Sequence, residues 1–173
     1  MKPALAVPLV ALIVIGGLWF RTRRKGTPER KFANTDEFVQ WLASEAVKDA
    51  WKENDAKLDY SVESIKTVEQ ILGRVHDQYV RDASSVSPKG LGSAYGAYIG
   101  EVIRRSEPGA HWERDDELGE KTYPIIWGPG AGHSYPMGWC IRRILNGPED
   151  NVWNKYWALK SGLARPGASP PAH

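Results

Sequence analysis

"LGSAYGAYIGEVIRRSEPG", residues 91–109, decides how the rest of the chain is read. Its apolar positions recur at helical spacing, Pro108 and Gly109 close the run, and the pattern predicts a helix over 90–106. Gly92, Gly96 and Gly100 fall four residues apart, so one face of that helix has almost no side-chain relief. An interior glycine costs a helix up to about 1 kcal/mol relative to alanine, so three on one face call for a compensating close approach. Either a neighbouring backbone packs tightly there or a ligand lies on the glycine face. No phosphate-loop lysine follows to favour a nucleotide.

Upstream, "NTDEFVQWLASEAVKDAWKEND" opens with Asn34 and Thr35 as cap candidates and Glu37 three residues after Asn34, a variant of the capping box. Phe38, Leu42, Ala46 and Ala50 then mark one face of a helix over 36–53, widened by Trp41 and Val47. A second helix is capped at Ser61 after an extended lead-in at 58–60, with Ile65, Val68, Leu72, Val75 and Tyr79 on one face. Downstream, "AHWER" and "KTYPIIWG" are short aromatic or β-branched runs around the polar turn "DDELGE", which reads as a hairpin or two neighbouring strands. Pro124 assigns the second strand to an edge or a bulge. "YPMGWCIRRIL", residues 135–145, fits a strand or a short helix equally well, and a terminal helix begins near Pro148. The fold class is α+β: about four helices and a short antiparallel hairpin or sheet behind an N-terminal membrane helix.

That membrane helix is read from "PALAVPLVALIVIGGLWF", residues 3–20, which carries no charge and is followed by "RTRRK". At about 1.5 Å per residue such a helix spans most of a roughly 30 Å hydrocarbon core. The run lacks small residues at a cleavage site and its basic cluster lies behind it, so a single-pass anchor is expected over 1–25 rather than a cleaved signal. An unusual export signal and a buried core helix are the rival readings. Trp19, Arg21, Arg23, Arg24 and Lys25 flank the segment, and the positive-inside rule places the C-terminal side in the cytoplasm of a bacterial inner membrane. Residues 26–33 form a linker, 34–162 a single domain and 163–173 a disordered tail.

The net charge of +2 hides an asymmetry. Without Lys2, Arg21, Arg23, Arg24 and Lys25 at the anchor, 18 basic residues face 21 acidic ones, which argues against a nucleic-acid partner. The lone Cys140 excludes an intramolecular disulfide.

Candidate chemistry is sparse. His133 and Cys140 share the stretch "IIWGPGAGHSYPMGWC", residues 125–140, where a thiolate activated by imidazole and oriented by Glu101, His111 or Asp150 would be a nucleophilic pair. Cys140 nevertheless sits between Trp139 and Ile141, the setting of a buried inert thiol. The glycine run 128–132 lacks the spacing and following helix of a dinucleotide fingerprint. Its reading is a turn or a binding loop. The histidines show no paired-ligand spacing, so a zinc site would have to be assembled from distant residues, and "ERDDELGE" lacks calcium-loop spacing. No metal and no cofactor is expected. Glu101 is arguable as an acid or base if burial near His111, Trp112 or His133 perturbs it, against an ordinary ion pair with Arg104 or Arg105.

The stretch "LGSAYGAYIGEVIRRSEPGAHW" resembles a group of small bacterial domains in which a helix of the form Gly-x-Tyr-x-Gly-Glu-Val precedes Gly-x-x-Trp, here Gly109 and Trp112. The likeness extends over about 58–160 and implies a compact α+β domain with no reaction to carry over. Some domains of this style accompany secreted toxins as immunity proteins, an analogy that no motif here establishes. The expected function is therefore a membrane-anchored interaction module with a protein partner, for which Gly92, Gly96, Gly100, Trp112 and Trp127 are binding candidates. Eight tryptophans and seven tyrosines supply the amphipathic surface such a role needs. The alternatives are a tethered enzyme with Glu101, His111, His133 and Cys140 in one pocket, or an immunity protein.

Overall fold

A computed structural model describes residues 32–114, 123–128 and 132–162. Five helices are described: α1 (Thr35–Asn54), α2 (Ser64–Arg81), α3 (Pro88–Ser106), α4 (Pro136–Asn146) and α5 (Val152–Lys160). Strands β1 (His111–Trp112), β2 (Ile125–Trp127) and β3 (Gly132–Ser134) form one antiparallel sheet in the order β1-β2-β3. The fold is α+β and mostly helical. The anchor expected over 1–25 and the tail over 163–173 lie outside the described residues. No helix among the described residues is long and apolar enough to cross a membrane.

Helix starts follow local chemistry. The Asn34 side chain accepts from the Glu37 N–H at 2.9 Å, and Glu37 reaches back to the Ala33 N–H at 2.7 Å, one residue before the Asn34 N–H that a strict capping box would engage. Ser61, the expected cap of the next helix, instead closes a turn ahead of it: its Oγ accepts from the Ser64 N–H, while the N-cap of α2 is Glu63, whose side chain makes no capping bond. The lead-in is not extended throughout, because Tyr60 adopts a left-handed conformation with φ 62°. Its N–H donates to the Tyr98 hydroxyl at 2.7 Å and its ring lies under the Arg105 guanidinium at 3.6 Å, contacts that offset the strain. Ser87 caps α3 and Pro88 supplies its first residue, so that helix starts two positions before the expected Gly90.

Helix α3 is the axis of the domain. From Ala94 to Ile103 every residue is buried, as expected of a helix packed on all sides. Helix α1 packs along one side of it and α4 along the other, while α2 packs on α4. Tyr95 on α3 donates to Asp49 on α1 at 2.6 Å. The undecided segment 135–145 is helix α4, and the glycine face explains why. A Cβ on Gly92 would lie 2.8 Å from the Ile141 backbone nitrogen, and one on Gly96 would lie 2.2 Å from Met137 Cα. Only glycine at these positions admits the α4 backbone.

Contrary to the expectation of an edge or a bulge, the Pro124 segment leads into the central strand. Pro124 precedes β2, so its missing N–H falls outside the ladder, while its carbonyl accepts from Glu113 at 2.9 Å. The glycine stretch yields a third strand: Ile125, Ile126 and Trp127 pair with Ser134, His133 and Gly132. A buried ion pair ties the other end of the domain, with Arg143 Nε 2.7 Å from Glu69 and the second Glu69 oxygen accepting from the Val152 N–H.

Candidate functional site

Among the described residues Glu101 is the most enclosed charged side chain. One oxygen accepts from Arg104 Nε at 2.8 Å and from the Trp112 indole at 2.9 Å, and the other accepts from Arg104 Nη2 at 2.9 Å. Arg105 Nε lies 3.7 Å away. Burial pushes the carboxyl pKa up, but the hydrogen bonds from Arg104 and Trp112 and the two guanidinium charges outweigh it and hold the group below its ordinary value. Glu101 is thus a locked carboxylate, a weaker base than a free one. Trp112 is positioned by the same helix, because its Cη2 lies 2.1 Å from where a Cβ on Gly100 would stand.

Cys140 is fully buried on α4, and burial pushes its thiol pKa up, with the nearby Glu69 carboxylate adding to the effect. Such a thiol is protonated and shielded, the opposite of an activated nucleophile. His133 stands on β3 with a side chain 55% exposed, and a Glu113 oxygen lies 3.5 Å from its Nε2. Asp150 is engaged by Lys155, Asn146 and Arg142. The loop residues therefore do not form a nucleophile, base and orienting group.

The sheet does bring two sequence candidates together. His111 and His133 both stand opposite Ile126, one on each flanking strand. Glu113, two residues beyond His111 and so on the same face, reaches both: its oxygens lie 3.4 Å from His111 Nε2 and 3.5 Å from His133 Nε2. His111 Nδ1 lies 2.9 Å from the Gly109 carbonyl. That hydrogen bond, followed by the Glu113 contact, raises the His111 pKa above its ordinary value. Glu113 was legible in sequence only as part of an acidic turn. The alternation of His111 and Glu113 on one strand is the signal that places them on one face.

The residues expected to form a binding surface are internal. Gly92, Gly96 and Gly100 are covered by α4 and Trp112, and the two indoles are buried with their N–H groups donating to Glu101 and to Ser134 at 3.0 Å. Close packing consumed the glycine face. Aromatic surface appears elsewhere. Trp127 stacks on Tyr156 at 5.6 Å, Tyr156 adjoins Trp153 and Trp157, and Trp157 is 40% exposed. Lys66 lies 4.6 Å from the Trp153 ring centroid and Lys160 5.7 Å from that of Trp157. Trp51, on α1, is 66% exposed. The membrane-flanking candidates Trp19, Arg21, Arg23, Arg24 and Lys25 lie outside the described residues.

Comparison with protein-family models, with curated proteins and with solved structures finds no match. The functional reading rests on the residues themselves.

Proposed function

We propose that the chain is a membrane-anchored interaction module: the apolar segment 3–20 holds the domain at the cytoplasmic face of a bacterial inner membrane, where it engages a protein partner. The observation that carries the reading is the aromatic rim on α5. Trp153 continues a stack that begins at the buried Trp127 and passes through Tyr156, Trp157 meets both Trp153 and Tyr156 edge-on, and Lys66 and Lys160 sit beside these rings. Large rings that lose little entropy on binding dominate protein interface hot spots. The state of the former catalytic candidates weighs the same way, since Cys140 is shielded and Glu101 is clamped. The basic cluster after the apolar run favours anionic headgroups and a cytoplasmic domain.

The test is site-specific photocrosslinking in the native cell, with p-benzoylphenylalanine at Trp157 and, as a control, at the exposed α2 position Asp77. One discrete adduct in the membrane fraction from the Trp157 site alone is expected. Equal or absent adducts at the two positions would sink the reading. Truncation of residues 1–25 is expected to release the chain from the membrane fraction, and sedimentation without that segment would remove the anchor from the proposal.

A further inference from the structure

Two imidazoles and one carboxylate meet on the outer face of the sheet, although the sequence holds them up to 22 residues apart. Ile126 lies between the two histidines, 7% exposed and outside the main core cluster. The geometry at His111 is chemically specific. A backbone carbonyl only accepts hydrogen bonds, so the 2.9 Å contact with Gly109 requires the hydrogen on Nδ1. In the neutral ring Nε2 then presents a lone pair to a Glu113 oxygen 3.4 Å away. Two acceptors would then face one another, an arrangement that either a proton on Nε2 or a cation between them relieves. Histidine ligands in metal sites are held in this way, with the outer ring N–H tied to a carbonyl and the other nitrogen free for the ion.

We propose that His111, Glu113 and His133 form a surface site for a divalent metal ion of the zinc class. Two imidazole nitrogens and a carboxylate suit that ion. Each nitrogen-to-oxygen separation, 3.4 Å to one Glu113 oxygen and 3.5 Å to the other, is taken singly close to the spacing between two neighbouring ligands of a tetrahedral centre. With bonds of roughly 2.1 Å, that spacing is about 3.4 Å. As they are placed, no group of three histidine, cysteine or acidic side chains among the described residues could hold a metal ion, so the site requires side-chain movement. Here the two rings approach different oxygens of Glu113, and an ion would draw both inward by side-chain rotation. The two histidine side chains are 58% and 55% exposed, so little packing opposes the movement. Three protein donors leave a coordination position facing solvent, open to water or to a donor from an incoming molecule.

Zinc chloride titrated calorimetrically into the full-length chain, near neutral pH and without chelating buffer, tests the site. The His111→Gln, Glu113→Gln and His133→Gln variants run beside it, with His173→Gln as the control for the terminal histidine. One ion per chain is expected, weakened at least about tenfold by each of the first three substitutions and unchanged by the fourth. Circular dichroism should be the same for all four variants, because the three side chains are exposed and lie outside the core. Binding below one equivalent, binding changed less than threefold by His133→Gln, or binding that is lost with His173→Gln each overturns the proposal and leaves a proton as the charge between His111 and Glu113.

Discussion

Replacing Gly96 by alanine sets two effects of opposite sign against each other at one atom. In an open helix the change stabilises by about 1 kcal/mol, because alanine loses less backbone entropy on folding. Here the new Cβ would stand 2.2 Å from Met137 Cα, 2.4 Å from Met137 N and 2.7 Å from the Pro136 carbonyl carbon. All three are backbone atoms of α4, so no side chain can rotate away, and the helices must separate by more than an ångström along the seam that also contains Gly92. Overpacking commonly costs 1–3 kcal/mol and more where the backbone must move, so we take about 4 kcal/mol against the 1 kcal/mol gain. The net loss is about 3 kcal/mol, a substantial part of the total stability of a domain this size. With a urea m-value near 1.5 kcal/mol/M, the unfolding midpoint of the full chain should fall by about 2 M. Gly138→Ala is the internal control: its Cβ would meet only Tyr135 Cβ at 3.8 Å, so propensity should prevail and the midpoint should hold or rise. A Gly96→Ala variant as stable as the parent, or more so, would refute the close-packing account of the glycine face.

Two further outcomes follow from the buried titratable groups. Glu101→Gln should destabilise the chain at neutral pH by about 2 kcal/mol, since it leaves buried donors poorly matched. The folded-state pKa of Glu101 lies below its ordinary 4.5, so its contribution is complete above that value and is lost as pH falls through the lowered one. Urea midpoints across the acid range should therefore converge for parent and variant, and a gap that stays constant would contradict the assignment. Cys140 should not react with a thiol reagent at pH 8 in the native chain and should release one equivalent after unfolding, because burial keeps it protonated and covered. Rapid native reaction would reopen the nucleophile reading of the loop.

The first helix start was legible because the Asn34 side chain competes for a free backbone N–H, and other helices where apolar spacing runs for several turns; the cap expected at Ser61 holds a turn just ahead of α2, whose N-cap is Glu63. The need for a close neighbour at Gly92, Gly96 and Gly100 was legible from their cost alone. The identity of that neighbour was not. Residues 136–146 are helical with a face that buries Trp139, Cys140, Arg143 and Ile144, and the pairing of that buried arginine with Glu69 on α2 is a tertiary contact that no local window contains. Strand β3 escaped notice because Gly132, His133 and Ser134 have little intrinsic preference for a strand; pairing with β2 imposes it. For the same reason the meeting of His111 with His133 was invisible, since register across two strands is a tertiary property. Tyr60 breaks its expected extended run through contacts with Tyr98 and Arg105 that no local window contains.

The contact of Trp112 with both Gly100 and Glu101 also constrains how the sequence can drift. One indole fills the space that a side chain at 100 would need and donates the hydrogen bond that helps satisfy the carboxylate at 101. Phenylalanine at 112 would keep most of the volume and abandon the donor. A small residue there would leave a void that a larger residue at 100 could then fill. The three positions therefore form a single heritable unit, in which replacement of Trp112 is tolerated only alongside changes at Gly100 and Glu101. Among related chains the three should vary together, and an alanine at 100 beside an intact tryptophan at 112 is the combination that selection should remove first.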